Sequence, residues 1–331
     1  MQLTPPYAVF IGDATDPLGL KMACSIAHWR PELCVGEVAM PNCTTTAGLP
    51  RLSLTEAVKG GAKSFVLGFN NAGGHIDDKY LPHIKAAIQA GLHVVNGLHD
   101  KLTDYPELVS LATEHHVELI DIRHPTTRFK TGNGQKRTGK RLLTVGTDCS
   151  VGKMYTTLAI HREMEKQGMQ ATFRATGQCG ILVAGTGVAV DCVVSDFISG
   201  AVEQLTPDNA PDHWDVIEGQ GSLFQPAYAG VTIGLIHGAQ PDALVVCHTL
   251  RREQMRGMPG YALPSLDETI SVNLLHARRT NPECKVIGIS VNTSAVDEQT
   301  ALETCKMISI ETGLPCVDPL RHGVQALVGN L

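Results

Sequence analysis

Short apolar runs alternate with amphipathic stretches along nearly the whole chain. "YAVFIG" (7–12), "KSFVLGF" (63–69), "LHVVNG" (92–97) and "VELIDI" (117–122) are brief apolar runs bounded by turn residues, the pattern of buried strands. Between them, 77–91 and 104–116 place apolar residues at helical spacing, and Gly91 stands where the first of these helices would close. Strands alternating with helices predict parallel strands joined by crossover helices, a Rossmann-like layer. The alternation resumes with "RLLTVG" (141–146), "QATFRATG" (170–177), "HWDVIEG" (213–219), "DALVVCH" (242–248), "KVIGISVN" (285–292) and "LPCVDP" (314–319). Helical spacing returns at 153–167, 194–205, 265–279 and 297–312. Between the two series lies "RHPTTRFKTGNGQKRTGKR" (123–141), polar, glycine-containing and basic, which reads as a solvated linker.

One junction carries recognisable chemistry. "TVGTDCSVGKMYTTL" (144–158) leaves an apolar strand and opens a helix, as a phosphate-binding loop does. A helix N-terminus offers unpaired N–H groups and the positive end of its dipole to an anion. Gly146 and Gly152 let the backbone curl, and Lys153 adds a mobile positive charge. The candidate phosphate-binding residues are therefore Gly146, Thr147, Asp148, Cys149, Ser150, Val151, Gly152, Lys153, Met154 and Tyr155. The expected organisation is α/β throughout: a Rossmann-like domain over 1–125, a basic linker over 126–140, and a P-loop NTPase-like domain with a mostly parallel sheet over 141–331.

The loop departs from the usual pattern at one position. A P-loop lysine is normally followed by Ser or Thr, whose hydroxyl holds magnesium. Here Met154 follows, and a thioether is only a weak acceptor. Thr156 and Thr157 come later and project from other faces of the helix. The departure weakens the case for a magnesium-bound triphosphate and points to a phosphate that arrives without metal, such as those of coenzyme A. Cys149 would have a lowered thiol pKa at a helix N-terminus, but loop positions act mostly through backbone N–H groups.

Polar residues at other strand ends are the remaining candidates, because open α/β sheets bind ligands there. Arg174 suits a carboxylate held by two parallel hydrogen bonds, with a surface arginine as the alternative. Gln178 follows it. Asp191 sits between apolar residues, either a pKa-shifted acid or a helix cap. Glu218 ends a strand, with Gln220 and Ser222 in the glycine-flanked turn behind it. It is a candidate proton acceptor, or a structural carboxylate. His248 ends another strand, and Arg251, Arg252 and Arg256 follow as carboxylate or phosphate readers, or as a solvated helix face.

The 331 residues carry a net charge of −6, which argues against nucleic acid as partner. The N-terminus has no basic-then-apolar leader, and no run of about 18 apolar residues suggests a membrane span. The 10 cysteines form no Cys-x-x-Cys pair and read as reduced thiols, so a cytoplasmic protein is expected.

"GTDCSVGK" resembles the "GTDTxVGKT" loop of dethiobiotin synthetases, and "EGQGS" (218–222) resembles their "EGAGG" segment, whose glutamate assists metal binding. Over nearly its full length the chain resembles a family described as a domain of unknown function with a P-loop. The segments that carry this are "GTDCSVGKM", "TGQCGILVAGTGVAVDCVVSDFISGAVE", "EGQGSLFQPAYAGVTIGLIHGAQPDALVVCH" and "GLPCVDPLRHG". Members of that family acting in D-amino-acid catabolism are D-glutamate N-acetyltransferases.

The resemblance implies acetyl transfer from acetyl-CoA to the amine of D-glutamate. Glu218 or Asp191 would take the proton. Lys153 or backbone N–H groups would steady the oxyanion. Arg174 with one of Arg251, Arg252 or Arg256 would hold the carboxylates, and Gln178, Gln220, Ser222 and His248 would complete the substrate site. Acetyl-CoA is the expected cosubstrate, with no metal. The alternative is an ATP- and magnesium-dependent ligase or carboxylase with Asp148, Asp191 or Glu218 on the metal, and a non-catalytic P-loop switch is a third reading. Small-molecule partners and self-association into a homo-oligomer are expected.

Overall fold

The computed structural model describes residues 3–331, which form two compact units. The first comprises residues up to 126 together with 177–192, and the second comprises 127–176 and 193–331.

The first unit is built from β1 (Tyr7–Gly12), α1 (Lys21–Trp29), β2 (Cys34–Ala39), α2 (Leu54–Lys59), β3 (Ser64–Leu67), α3 (Leu81–Gln89), β4 (His93–Asn96), α4 (Pro106–Glu114) and β5 (Leu119–Asp121). The strands pair in parallel in the order β2-β1-β3-β4-β5. The Rossmann-like layer read from the sequence is present. Every residue of β1 is buried, as a strand covered on both faces requires, and Phe10 stacks on Phe65 of β3. The β2 strand escaped notice because Glu37 interrupts its apolar run. That buried carboxylate accepts from Arg51 Nη2 at 2.9 Å and Ala47 N at 2.8 Å.

The second unit opens with β6 (Lys140–Gly146), α5 (Lys153–Lys166) and β7 (Ala171–Arg174). The chain then returns to the first unit through α6 (Gln178–Ala184), so residues 177–192 do not belong with the rest of 141–331. It continues in the second unit as α7 (Ile198–Leu205), β8 (Trp214–Ile217), α8 (Ala229–Ala239), β9 (Ala243–Thr249), α9 (Leu266–Ala277), β10 (Lys285–Asn292), α10 (Glu298–Thr312), β11 (Cys316–Val317) and α11 (Gln325–Val328). All pairings are parallel, in the order β11-β10-β9-β6-β8-β7. The core beneath α5 gathers Leu142, Ile160, Met164, Val216, Val245 and Ile287.

Two features differ from the sequence reading. The basic stretch before β6 is not a free solvated linker. Arg137 donates to the carbonyls of Thr206 and Gly238, each at 2.7 Å, and Thr138 N donates to Asp208 at 2.7 Å. These contacts tie it along α7 and α8. The α8 helix itself went unread, being apolar all round and glycine-rich. A Cβ at Gly238 would lie 2.4 Å from Ser199 O, so glycine permits the close approach of α8 to α7.

Candidate active site

The order of the second sheet places β6 centrally, with β8 on one side and β9 on the other. Their carboxyl ends face the phosphate loop, the position where doubly wound sheets bind ligands. The loop runs from Gly146 to the start of α5 at Lys153. Ser150 (φ 54°) and Gly152 (φ 98°) are both left-handed, the kind of backbone from which anion-binding concavities are built. A Cβ at Gly146 would lie 2.8 Å from both Cys247 O and Val151 Cγ2, so glycine is required there.

An ion pair holds the loop from outside. Asp148 is fully buried, and its Oδ2 accepts from Arg252 Nη1 at 2.9 Å and Arg256 N at 2.8 Å. Arg252 also donates to Cys149 O at 2.7 Å and Ser150 O at 3.1 Å. Its guanidinium is thus a clamp on the loop backbone and is engaged there rather than turned to a substrate. Arg251, by contrast, is exposed and left-handed (φ 62°), an unusual conformation for a side chain of that bulk.

Lys153 is buried, and its Nζ donates to Asp148 O at 2.8 Å. Burial is the main cause holding its ammonium below the usual lysine pKa. Neither later threonine replaces the missing hydroxyl. Thr157 Oγ1 donates to Lys153 O at 2.7 Å and lies 2.9 Å from Thr144 Oγ1, while Thr156 Oγ1 lies 2.7 Å from Ser290 Oγ. Both side chains are fully buried against the sheet.

The turn after β8 packs directly on the loop's root. Gly219 N donates to Thr144 Oγ1 at 2.9 Å, and a Cβ at Gly219 would overlap Thr144 O and approach Lys153 Cδ to 2.9 Å. That close approach packs the turn carrying Glu218 against the root of the loop. Glu218 is buried, and its Oε2 accepts from Thr176 N at 2.9 Å. Gln220 Nε2 donates to Thr176 Oγ1 at 3.3 Å. Ser222 is buried and accepts from Phe224 N at 3.3 Å, so its hydroxyl shapes the turn. On the other side His248 Nδ1 lies 3.1 Å from Thr147 Oγ1. Burial, with Arg252 nearby, pushes that imidazole below its ordinary pKa.

The structure therefore brings together the loop, Glu218, Gln220, His248 and Arg252. Arg174 is turned elsewhere, its Nε donating to the buried Asp215 at 2.7 Å. Gln178 and Asp191 belong to the other compact unit, where Asp191 Oδ2 accepts from Arg123 Nη2 at 2.5 Å and Nε at 3.2 Å.

A cavity of about 440 Å³ adjoins the loop, lined by Val151, Gly152 and Tyr155 on one side and by Asn292, Asp318 and Arg321 on another. Residues 290–294 and 318–321 were not among the candidate site residues of the sequence reading. The strand-end rule that selected Glu218 applies equally to the ends of β10 and β11 and would have found them. Among the described residues no helix is long and apolar enough to cross a membrane.

Family models match both parts of the chain. Residues 128–328 match the DUF1611 P-loop domain, a domain of unknown function, and residues 34–125 match its Rossmann-like N-terminal domain. The chain belongs to this family. A crystal structure of a DUF1611 family protein from Anabaena variabilis ATCC 29413 superposes with a TM-score of 0.89, at 31% identity and 99% coverage of both chains. A D-glutamate N-acetyltransferase from a Pseudoalteromonas species is 59% identical over 100% of both chains. Another from Tritonibacter scottomollicae is 48% identical over 98% of both. With such relatives along its whole length, this DUF1611 protein is an enzyme of the acyltransferase class.

Proposed function

We propose that this DUF1611 protein moves the acetyl group of acetyl-CoA to the amine of D-glutamate, with coenzyme A phosphates held by the loop at 146–155. The observation that carries the reading is the loop itself: a complete phosphate cradle whose magnesium-binding hydroxyl is replaced by Met154 and whose later threonines are tied to the sheet. Such a cradle suits phosphates that need no metal and are not transferred. The names of the two relatives above supply the acceptor.

The chemistry required is modest. The substrate ammonium loses a proton, its lone pair attacks the thioester carbonyl, and the C–S bond breaks as the amide forms, the second nitrogen proton leaving with the CoA thiolate as the free thiol. Glu218, at the end of β8, takes the amine proton. Lys153 and the N–H groups of the loop hold the coenzyme A diphosphate, while the thioester reacts at the far end of the pantetheine arm. Arg251 reads a substrate carboxylate, since the guanidinium groups of Arg252 and Arg174 are engaged with Asp148 and Asp215.

The direct test is release of CoA thiol from acetyl-CoA, measured with D-glutamate and with L-glutamate as acceptor. Release that depends on the D-isomer supports the reading, and Glu218→Gln should lower kcat by roughly 10²–10⁴-fold. No CoA release with either acceptor would overturn it.

A further inference from the structure

The cavity beside the loop has a chemistry of its own. Its volume of about 440 Å³ falls within the range of small-molecule sites. Tyr155, Pro319 and Leu320 give it flat apolar walls, and Leu320 is half-exposed without a covering partner. Asn292 and Ser294 add polar groups at the end of β10. Among the described residues that line it, Arg321 is the single cationic side chain.

Arg321 is presented by a built turn. The carboxylate of Asp318, which is buried, accepts from Thr293 Oγ1 at 2.6 Å, Thr293 N at 3.0 Å, Leu320 N at 2.9 Å and Arg321 N at 3.2 Å. These four bonds fix the carboxylate in the turn that carries Arg321. The guanidinium is steadied by a bond from Nη2 to Val296 O at 2.9 Å. Its counter-charge, Glu298, lies 3.3 Å from Nη1 and is 61% exposed, so the pair is solvated and weak. The side chain thus has free donors, a fixed position and a positive charge that its neighbour does not cancel.

We infer that this cavity takes the 3′-phosphoadenosine end of coenzyme A, with Arg321 reading the 3′-phosphate. The inference rests on the acetyl-CoA reading above. With the diphosphate on the loop, the ribose stands between the two phosphate sites, the purine lies on the Tyr155–Pro319–Leu320 walls, and the 3′-phosphate meets the guanidinium in a bidentate contact. A nucleoside triphosphate carries the same purine and ribose but no 3′-phosphate, so Arg321 distinguishes the two ligand classes.

Calorimetric titration of the full-length protein with acetyl-CoA and with 3′-dephospho-acetyl-CoA tests this. The wild type should bind acetyl-CoA at least about tenfold more tightly, the effect of one charge-assisted contact. Arg321→Met should lose that preference while keeping its affinity for the dephospho form, which also serves as the check that the turn still folds. Glu298→Gln, which removes the competing carboxylate, should keep or widen the preference. Equal binding of both ligands by the wild type, or a preference that survives in Arg321→Met, overturns the inference while the acetyl-CoA reading stands. Failure of the wild type to bind either form overturns both.

Discussion

Replacing Arg252 by alanine should loosen the phosphate loop and destabilise its domain together. The side chain makes one bond to the Asp148 carboxylate and two to loop carbonyls, at 2.9, 2.7 and 3.1 Å. Without it, Asp148 stays fully buried with Arg256 N as the remaining donor to Oδ2 and no partner on Oδ1. Removing one member of a buried pair typically costs about 3–5 kcal/mol, because the other charge is left uncompensated. The Arg252 side chain is 25% exposed, so water replaces part of what is lost, and about 2–3 kcal/mol is expected. For a domain of this size that lowers the midpoint of thermal unfolding by roughly 5–10 °C. The double variant Asp148→Asn, Arg252→Ala should recover part of the loss, because no buried charge then remains. Calorimetric melting of the wild type, both single variants and the double variant gives the coupling energy. Strictly additive effects, or an unchanged melting midpoint in Arg252→Ala, would refute the view that this pair holds the loop.

Gly219→Ala should be more severe, because its Cβ would overlap a backbone carbonyl, Thr144 O, that no side-chain rotation relieves. A loss of about 3 kcal/mol or more is expected, together with weakened phosphate binding as Lys153 is displaced; wild-type stability in a denaturant titration would contradict the packing described. Stability should also fall on mild acidification. His99, His161, His237 and His248 are all held below the ordinary histidine pKa near 6.5, in each case first by burial. The unfolded chain therefore binds more protons in the window just below pH 6.5, so stability is full above that value and is lost as the pH drops through the folded-state values. Unfolding free energies measured from pH 7.5 to 5 should show this slope, and His248→Gln should reduce it; a flat profile would count against the burial of these rings.

Much of this was legible in the chain. The strands β6, β9 and β10 are largely apolar runs, and the loop sits between one of them and a helix, so local pattern alone located the P-loop. What pattern could not supply was the partner of each charge. Arg174 and Arg252 look alike as arginines at strand ends, yet one is bound to Asp215, 41 residues away, and the other to Asp148, 104 residues back. Asp191 stood out as an acid between apolar residues, and pattern could not show that its segment packs in the first unit, where it pairs with Arg123. The α8 helix was hidden by its own burial: a helix apolar on every face has no amphipathic period to read. A strand was legible at 314–319, but the place of the turn at 318–321 depends on β11 pairing beside β10, which local pattern does not show.

The most direct test of the central claim is calorimetric binding of acetyl-CoA and of ATP, each with magnesium and with EDTA. A loop built for coenzyme A phosphates should bind acetyl-CoA equally well under both conditions and bind ATP weakly. Magnesium-dependent ATP binding with no affinity for acetyl-CoA would contradict it and put ligase chemistry in its place.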